Sequence, residues 1–76
     1  MKKPDDVLEV KVMEIDNRKF LLALARAEMS NDVLAKEAGV SPSTIQRFKR
    51  ADGKATTQTI GRLAKALHVD VADIVK

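Results

Sequence analysis

Arg47, Lys49, Arg50 and Lys54 face a single acid, Asp52, within residues 41–54, so this short stretch carries +3, as much as the whole 76-residue chain. Elsewhere the charges sum to zero, and two stretches are negative. Residues 1–16 hold three lysines against five acids, and residues 28–38 hold Lys36 against Glu28, Asp32 and Glu37, each summing to −2. A concentrated cationic segment interleaved with Ser43 and Gln46 has the chemistry of polyanion binding and hydrogen-bond donation, not of bond breaking. With no Trp or Tyr and only Phe20 and Phe48, the chain lacks the aromatic platforms on which unpaired bases stack. Duplex nucleic acid is therefore expected over single strands.

Catalytic chemistry finds no constellation. His68 is the one histidine, it follows the apolar Leu67, and it reads as an ordinary helix-end residue. Ser41 and Ser43 have no base within plausible reach, and the carboxylates are scattered over candidate caps and the N-terminal segment. There is no cysteine, hence no disulfide framework and no thiolate metal site, a composition suited to a reducing cytoplasm. No enzyme activity, metal or cofactor is expected. No long apolar run follows residues 1–6, so neither a signal peptide nor a membrane span is expected. Lys19, Arg26, Arg62 and Lys65 read as solvent-facing charges, and Met1, Met13 and Met29 as initiator or packing residues.

The elements that must position the cationic segment are helical. Asp16 or Asn17 caps a first helix with Phe20, Leu21, Ala23, Leu24 and Ala27 at three- and four-residue spacing, ending near Glu28 or Met29. Ser30, Asn31 and Asp32 start a second helix, over about 31–38, which Gly39 stops by supplying a left-handed backbone. Val40 is expected to pack under that turn. Ser41 before Pro42 starts a third helix, over about 42–50, because proline at the first helical position forfeits no hydrogen bond. Residues 51–55 read as a loop. Thr56 caps a fourth helix with Ile60, Leu63, Ala64 and Leu67 on one face. Gly61 within it costs about 1 kcal/mol against Ala unless a neighbour approaches closely. After a break at His68 and Val69, Asp70 with Asp73 forms a capping-box pattern for a short fifth helix with Val71 and Ile74 inward.

Residues 31–50, NDVLAKEAGVSPSTIQRFKR, carry the central pattern. Leu34, Ile45 and Phe48 point inward from two steeply crossing helices, Ala35 is small where the third helix passes, and Gly39 turns the chain. The 3.6-residue period then leaves Ser43, Gln46, Arg47 and Arg50 on the outer face of the third helix. In Ala35, Gly39, Val40, Ile45 and Phe48, and in the tail TIGRLAKALHVDVADIV, the chain resembles the Cro/repressor-like helix-turn-helix family over about residues 16–75. The resemblance implies that the third helix enters the major groove with Ser43, Gln46 and Arg47 reading base edges. It also places Asn31, where the family often has a phosphate-clamping Gln, and Ser41, Thr44, Lys49, Arg50 and Lys54 beside phosphates. Pro42 offers no donor where the family often has Gln or Arg, so readout is expected to lean on Gln46 and Arg47. Lys49, Arg50 and Ala51 replace the family's frequent Glu-Asn-Gly.

Residues 7–15 alternate like a strand. No second strand is legible in the chain, and a lone strand leaves its backbone groups unpaired. A two-stranded antiparallel ribbon between two copies is therefore expected, with the two-fold axis through Val10, Glu9 against Lys11, and Leu8 against Val12. The expected architecture is all-α: a compact five-helix bundle of the repressor-like type (residues 16–76), preceded by a strand-like N-terminal arm (residues 1–15). The function that follows is a cytoplasmic, dimeric, sequence-specific binder of double-stranded DNA that regulates transcription as a repressor of bacterial or phage type. An antitoxin or adaptor holding a protein partner through the same fold or its N-terminal strand is the alternative. Arg47, Arg50 and Lys54 on one outward face separate the two, because an adaptor has no need of them.

Overall fold

β1 (Val12–Ile15), α1 (Asn17–Ala27), α2 (Asn31–Ala38), α3 (Pro42–Arg50), β2 (Gly53–Thr56), α4 (Thr57–Leu67) and a single 3-10 turn (Val71–Asp73) follow one another in the computed structural model, which describes residues 11–76. Each helix starts on a short polar side chain that accepts a backbone N–H three residues on. Asp16 accepts from Lys19 at 3.0 Å, Ser30 from Val33 at 3.2 Å, Ser41 from Thr44 at 3.3 Å and Thr56 from Thr59 at 3.2 Å. Each such cap stabilises its helix by about 1 kcal/mol. Gly39 ends α2 at φ +72°, where glycine carries no Cβ penalty, whereas Glu28 and His68 end α1 and α4 in the same left-handed region with one.

The core lies between the helices. Phe20 of α1 meets Phe48 of α3 edge-on, with ring centroids 6.0 Å apart, and Leu34, Ile45, Ile60, Leu63 and Ile74 are fully buried around them. Val40 packs on this core from the turn, but Leu21 faces outward from α1. Ile15, expected in the arm, is fully buried in the same core.

Two expectations are corrected. First, the chain does contain a second strand. Residues 53–56, expected within or beside a loop, pair antiparallel with β1: Val12 with Thr56, Met13 with Ala55, Glu14 with Lys54 and Ile15 with Gly53. Of the residues expected in the intermolecular ribbon, Val12 thus pairs within its own chain, and the Lys11 carbonyl accepts the Thr57 N–H at 3.2 Å. Leu8, Glu9 and Val10 lie outside the described residues. Second, the described residues hold four helices and a two-stranded sheet, not five helices. The Asp70–Asp73 capping box forms, but what it opens is one 3-10 turn. The chain then bends back to β1, where Val75 bridges Ile15, the Asp16 N–H donates to the Ile74 carbonyl at 2.9 Å and the Lys76 N–H to the Glu14 carbonyl at 3.0 Å. Those bonds require extended backbone where a helix would have continued.

Glycine has opposite consequences at two sites. A Cβ on Gly53 would stand 2.8 Å from Cε1 of the buried Phe48 ring, so strand and ring meet only because the side chain is absent. A Cβ on Gly61, inside α4, would meet nothing within 4 Å. Gly53→Ala is expected to destabilise by about 1–3 kcal/mol through overpacking. Gly61→Ala is expected to stabilise by about 1 kcal/mol, raising the thermal midpoint by roughly 4–8 °C. Thermal melts of both variants by circular dichroism check this, and equal shifts of one sign would refute it.

The turn after α3 is tied to both chain regions that flank the sheet. The Asp52 carboxylate accepts from Lys76 Nζ at 2.7 Å and from the Asn17 backbone N–H at 2.7 Å. The Lys76 bond, and then the Asn17 bond, hold its pKa below the ordinary value of 3.8, and the Asp52 bond raises that of Lys76 above 10.5. A depressed carboxyl contributes stability that is complete above its unfolded pKa and disappears as pH falls through its folded one. The raised amine contributes below its unfolded pKa and loses that contribution as pH rises through its folded value. The gap in melting temperature between the parent chain and Asp52→Asn is thus expected to be constant near neutrality, to close below pH 3.8 and to narrow above pH 10.5. A gap that persists at pH 2 would contradict it.

Candidate nucleic-acid interface

α3 is amphipathic in the simplest way. Ile45 and Phe48 are fully buried, while Ser43, Gln46, Arg47 and Arg50 are exposed, as the helical period requires. Its N-terminus is held by Ser41, whose Oγ lies 3.0 Å from Thr44 Oγ1 as well as capping the Thr44 N–H, so these two hydroxyls engage each other. At its other end, Asn17 Nδ2 donates to the Phe48 carbonyl at 2.7 Å, tying the start of α1 to the last turn of α3. The helix is thus fixed at both ends by groups outside it.

Two open concavities flank the exposed face. One runs between the start of α2 and α3 and is lined by Asn31, Asp32, Ser43, Gln46, Arg47 and Arg50. The other lies between α3, β2 and α4 and is lined by Ser41, Thr44, Arg47, Lys54, Thr59 and Arg62 among others. Arg47 belongs to both, with its guanidinium carbon 5.0 Å from the centroid of the Phe48 ring. All three residues expected to read bases therefore share the first concavity with Asn31 and Arg50, and Ser41, Thr44 and Lys54 line the second.

Lys49 lies apart from these cations. It is half-buried, and its Nζ donates to Asn31 Oδ1 at 3.0 Å, while Asn31 Nδ2 donates to Gln46 Oε1 at 2.8 Å. Asp52, the one acid of the segment, is neutralised by Lys76, so it does not offset Arg47, Arg50 and Lys54. Arg62, expected to be a general solvent-facing charge, lines the second concavity beside Arg47 and Lys54. The three-residue spacing of Thr56, Thr59 and Arg62 on one side of α4 is the signal that marks it.

Among the described residues no group of three or more His, Cys, Asp or Glu side chains could hold a metal ion, and no helix is long and apolar enough to cross a membrane. Residues 21–74 match the sequence model of the helix-turn-helix family. Comparison with curated proteins and with solved structures returned no match.

Proposed function

The chain belongs to the Cro/repressor-type helix-turn-helix family of DNA-binding transcription regulators, and from that premise we propose that it is a sequence-specific, cytoplasmic repressor that sets α3 in the major groove of duplex DNA. The observation that carries this reading is the outward face of α3. Ser43, Gln46 and Arg47 are exposed along one side of a helix anchored at both ends, with Arg50, Lys54 and Arg62 around them. In the bound state Arg47 donates in parallel to a guanine edge, Gln46 meets a neighbouring base pair and Ser43 a third. Arg50, Lys54, Arg62 and the capped start of α3 at Ser41 and Thr44 meet phosphates, with Asn31 and Lys49 at the edge of that set. The binding form is a homodimer, since a two-fold operator presents equivalent grooves about 34 Å apart to two copies of α3. The domain unit includes β1, whose Ile15 is buried in its core, and the residues before β1 carry the dimer contacts.

Titration of a duplex selected from a random pool tests this reading. With about three phosphates neutralised per subunit, log K of the dimer is expected to fall linearly with log salt at a slope near −5. The selected sequences are expected to contain two half-sites about one helical turn apart. No duplex binding at low salt, or a flat salt profile, would overturn the reading.

A further inference from the structure

A helix ends on backbone carbonyls that have no partner inside it. α1, α2 and α4 supply partners by folding the chain back on their last turns. In α1 the Glu28 N–H donates to the Leu24 and Ala25 carbonyls at 3.0 and 3.2 Å, and in α2 the Gly39 and Val40 N–H groups donate to the Ala35 carbonyl at 2.9 and 3.0 Å. In α4 the His68 N–H donates to the Lys65 carbonyl at 3.1 Å and the Val69 N–H to the Ala64 carbonyl at 3.0 Å. α3 ends differently. Its cap, Ala51, is extended rather than left-handed, because Gly53, two residues on, pairs with Ile15. Among the described residues, the Ala51 N–H alone turns back, to the Arg47 carbonyl at 3.2 Å. The further donor comes from another helix: Asn17 Nδ2 reaches the Phe48 carbonyl at 2.7 Å. A return bond runs beside it. The Asn17 N–H, one of the partnerless donors at the start of α1, donates to Asp52 Oδ1 at 2.7 Å, and Lys76 Nζ holds Asp52 Oδ2 at 2.7 Å. The start of α1 and the end of α3 thus cap each other.

We infer that Asn17 is a positioning residue for base reading, which stands in for the left-handed cap that α3 lacks and holds the last turn of that helix at one angle to the body of the domain. This deepens the DNA-binding reading and rests on it. The last turn carries Arg47 and Arg50. Asn17 lines neither of the two concavities that flank the outer face, so it acts through the Phe48 backbone and not on the DNA. A planar guanidinium meets both acceptors of a guanine edge only over a narrow range of angles, and a turn that frays widens that range. Phosphate contacts tolerate the same motion, because they depend on charge more than on direction. Loss of the Asn17 donor therefore costs discrimination between bases before it costs affinity for duplex in general.

Two measurements on the full chain test the cap and its consequence separately. In the DNA-free protein, amide hydrogen exchange of Lys49, Arg50 and Ala51 is expected to quicken in Asn17→Leu by about tenfold more than that of Leu34 and Leu63, which report the core, because the Phe48 carbonyl loses its donor. Equal changes in both groups overturn the cap. In selection from a random duplex pool, the position whose preference collapses in Arg47→Ala is expected to discriminate by about tenfold or more in the parent chain and by less than about threefold in Asn17→Leu. Affinity for an unrelated duplex and the salt slope are expected to stay as they are. Asp70→Ala removes a cap of similar worth in the turn after α4, and is expected to lower the melting temperature alike while keeping the base ratio. If Asn17→Leu also keeps the ratio, its role is structural only and the inference is overturned. Should Asn17→Leu not fold, Asn17→Ala, in which water reaches the carbonyl, is expected to show the same two changes at about threefold, and their absence overturns the inference equally. If the parent chain selects no duplex, the DNA-binding reading falls and takes the positioning role with it, while amide exchange still reports whether the cap exists.

Discussion

Phe48→Ala is expected to remove a large part of the stability of the fold, although the residue sits between Arg47 and Lys49 on the helix proposed to meet DNA. The ring is fully buried, packs edge-on against Phe20 at 6.0 Å and fills the space left by the missing side chain of Gly53. Truncating a buried aromatic costs about 3–5 kcal/mol. A chain of this length has roughly 4–11 kcal/mol in total, at about 0.05–0.15 kcal/mol per residue, so the loss takes from about a quarter of it to all of it. The effect reaches three elements, because the ring joins α1, α3 and β2 at one point. Far-ultraviolet circular dichroism against temperature reads the outcome, with Arg47→Ala as the exposed neighbour whose stability should change by less than about 1 kcal/mol. If the Phe48→Ala midpoint fell by only a few degrees, the junction of α1, α3 and β2 would not be where stability resides.

What was legible in advance was what local chemistry decides. Asp16, Ser30, Ser41 and Thr56 cap helices through bonds that span three residues, so the helix starts can be read from a window of four. Gly39 stops α2 by a backbone preference of its own. β2 has no such signal. Gly53, Lys54 and Ala55 are poor strand formers, and they are extended only because β1, some forty residues earlier in the chain, lies alongside and the Phe48 ring occupies the place of a Gly53 side chain. The expected fifth helix is a single 3-10 turn for a related reason: the Asp70–Asp73 box is local, but the pull of β1 on Ile74, Val75 and Lys76 is not.

The same division runs through the interface. The 3.6-residue period alone places Ser43, Gln46, Arg47 and Arg50 outward, and the structure has them exposed. The bonds among Asn31, Gln46 and Lys49 span 15 and 18 residues, and no period or composition announces them. Nor does the sequence announce that Asp52 is committed to Lys76 and the Asn17 amide, which matters because it offsets the one acid of the 41–54 segment.

Arg47→Ala and Lys54→Ala are expected to fail in different ways, although each removes one positive charge from the same concavity. Arg47 projects from the exposed face of α3, and its guanidinium rests over the Phe48 ring at 5.0 Å, a contact weak enough at a surface to give up for a better one. Swung outward, its planar fork offers two parallel donors that match O6 and N7 of guanine. Its loss should cost about 1–3 kcal/mol on the preferred site and nearly nothing on an unrelated duplex beyond one phosphate's worth of charge. Lys54 projects from β2, opposite Glu14, and not from α3. An ammonium on a flexible stem carries charge without planar geometry, so its removal should weaken all duplexes by a similar factor and make the salt slope shallower by about 0.9 per subunit. Thermal melts should show both variants folded, since both side chains are exposed. Binding isotherms on the selected duplex, its single-base variants and an unrelated duplex at several salt concentrations distinguish the two. Equal and sequence-independent losses would mean that Arg47 positions the protein on the backbone and reads nothing.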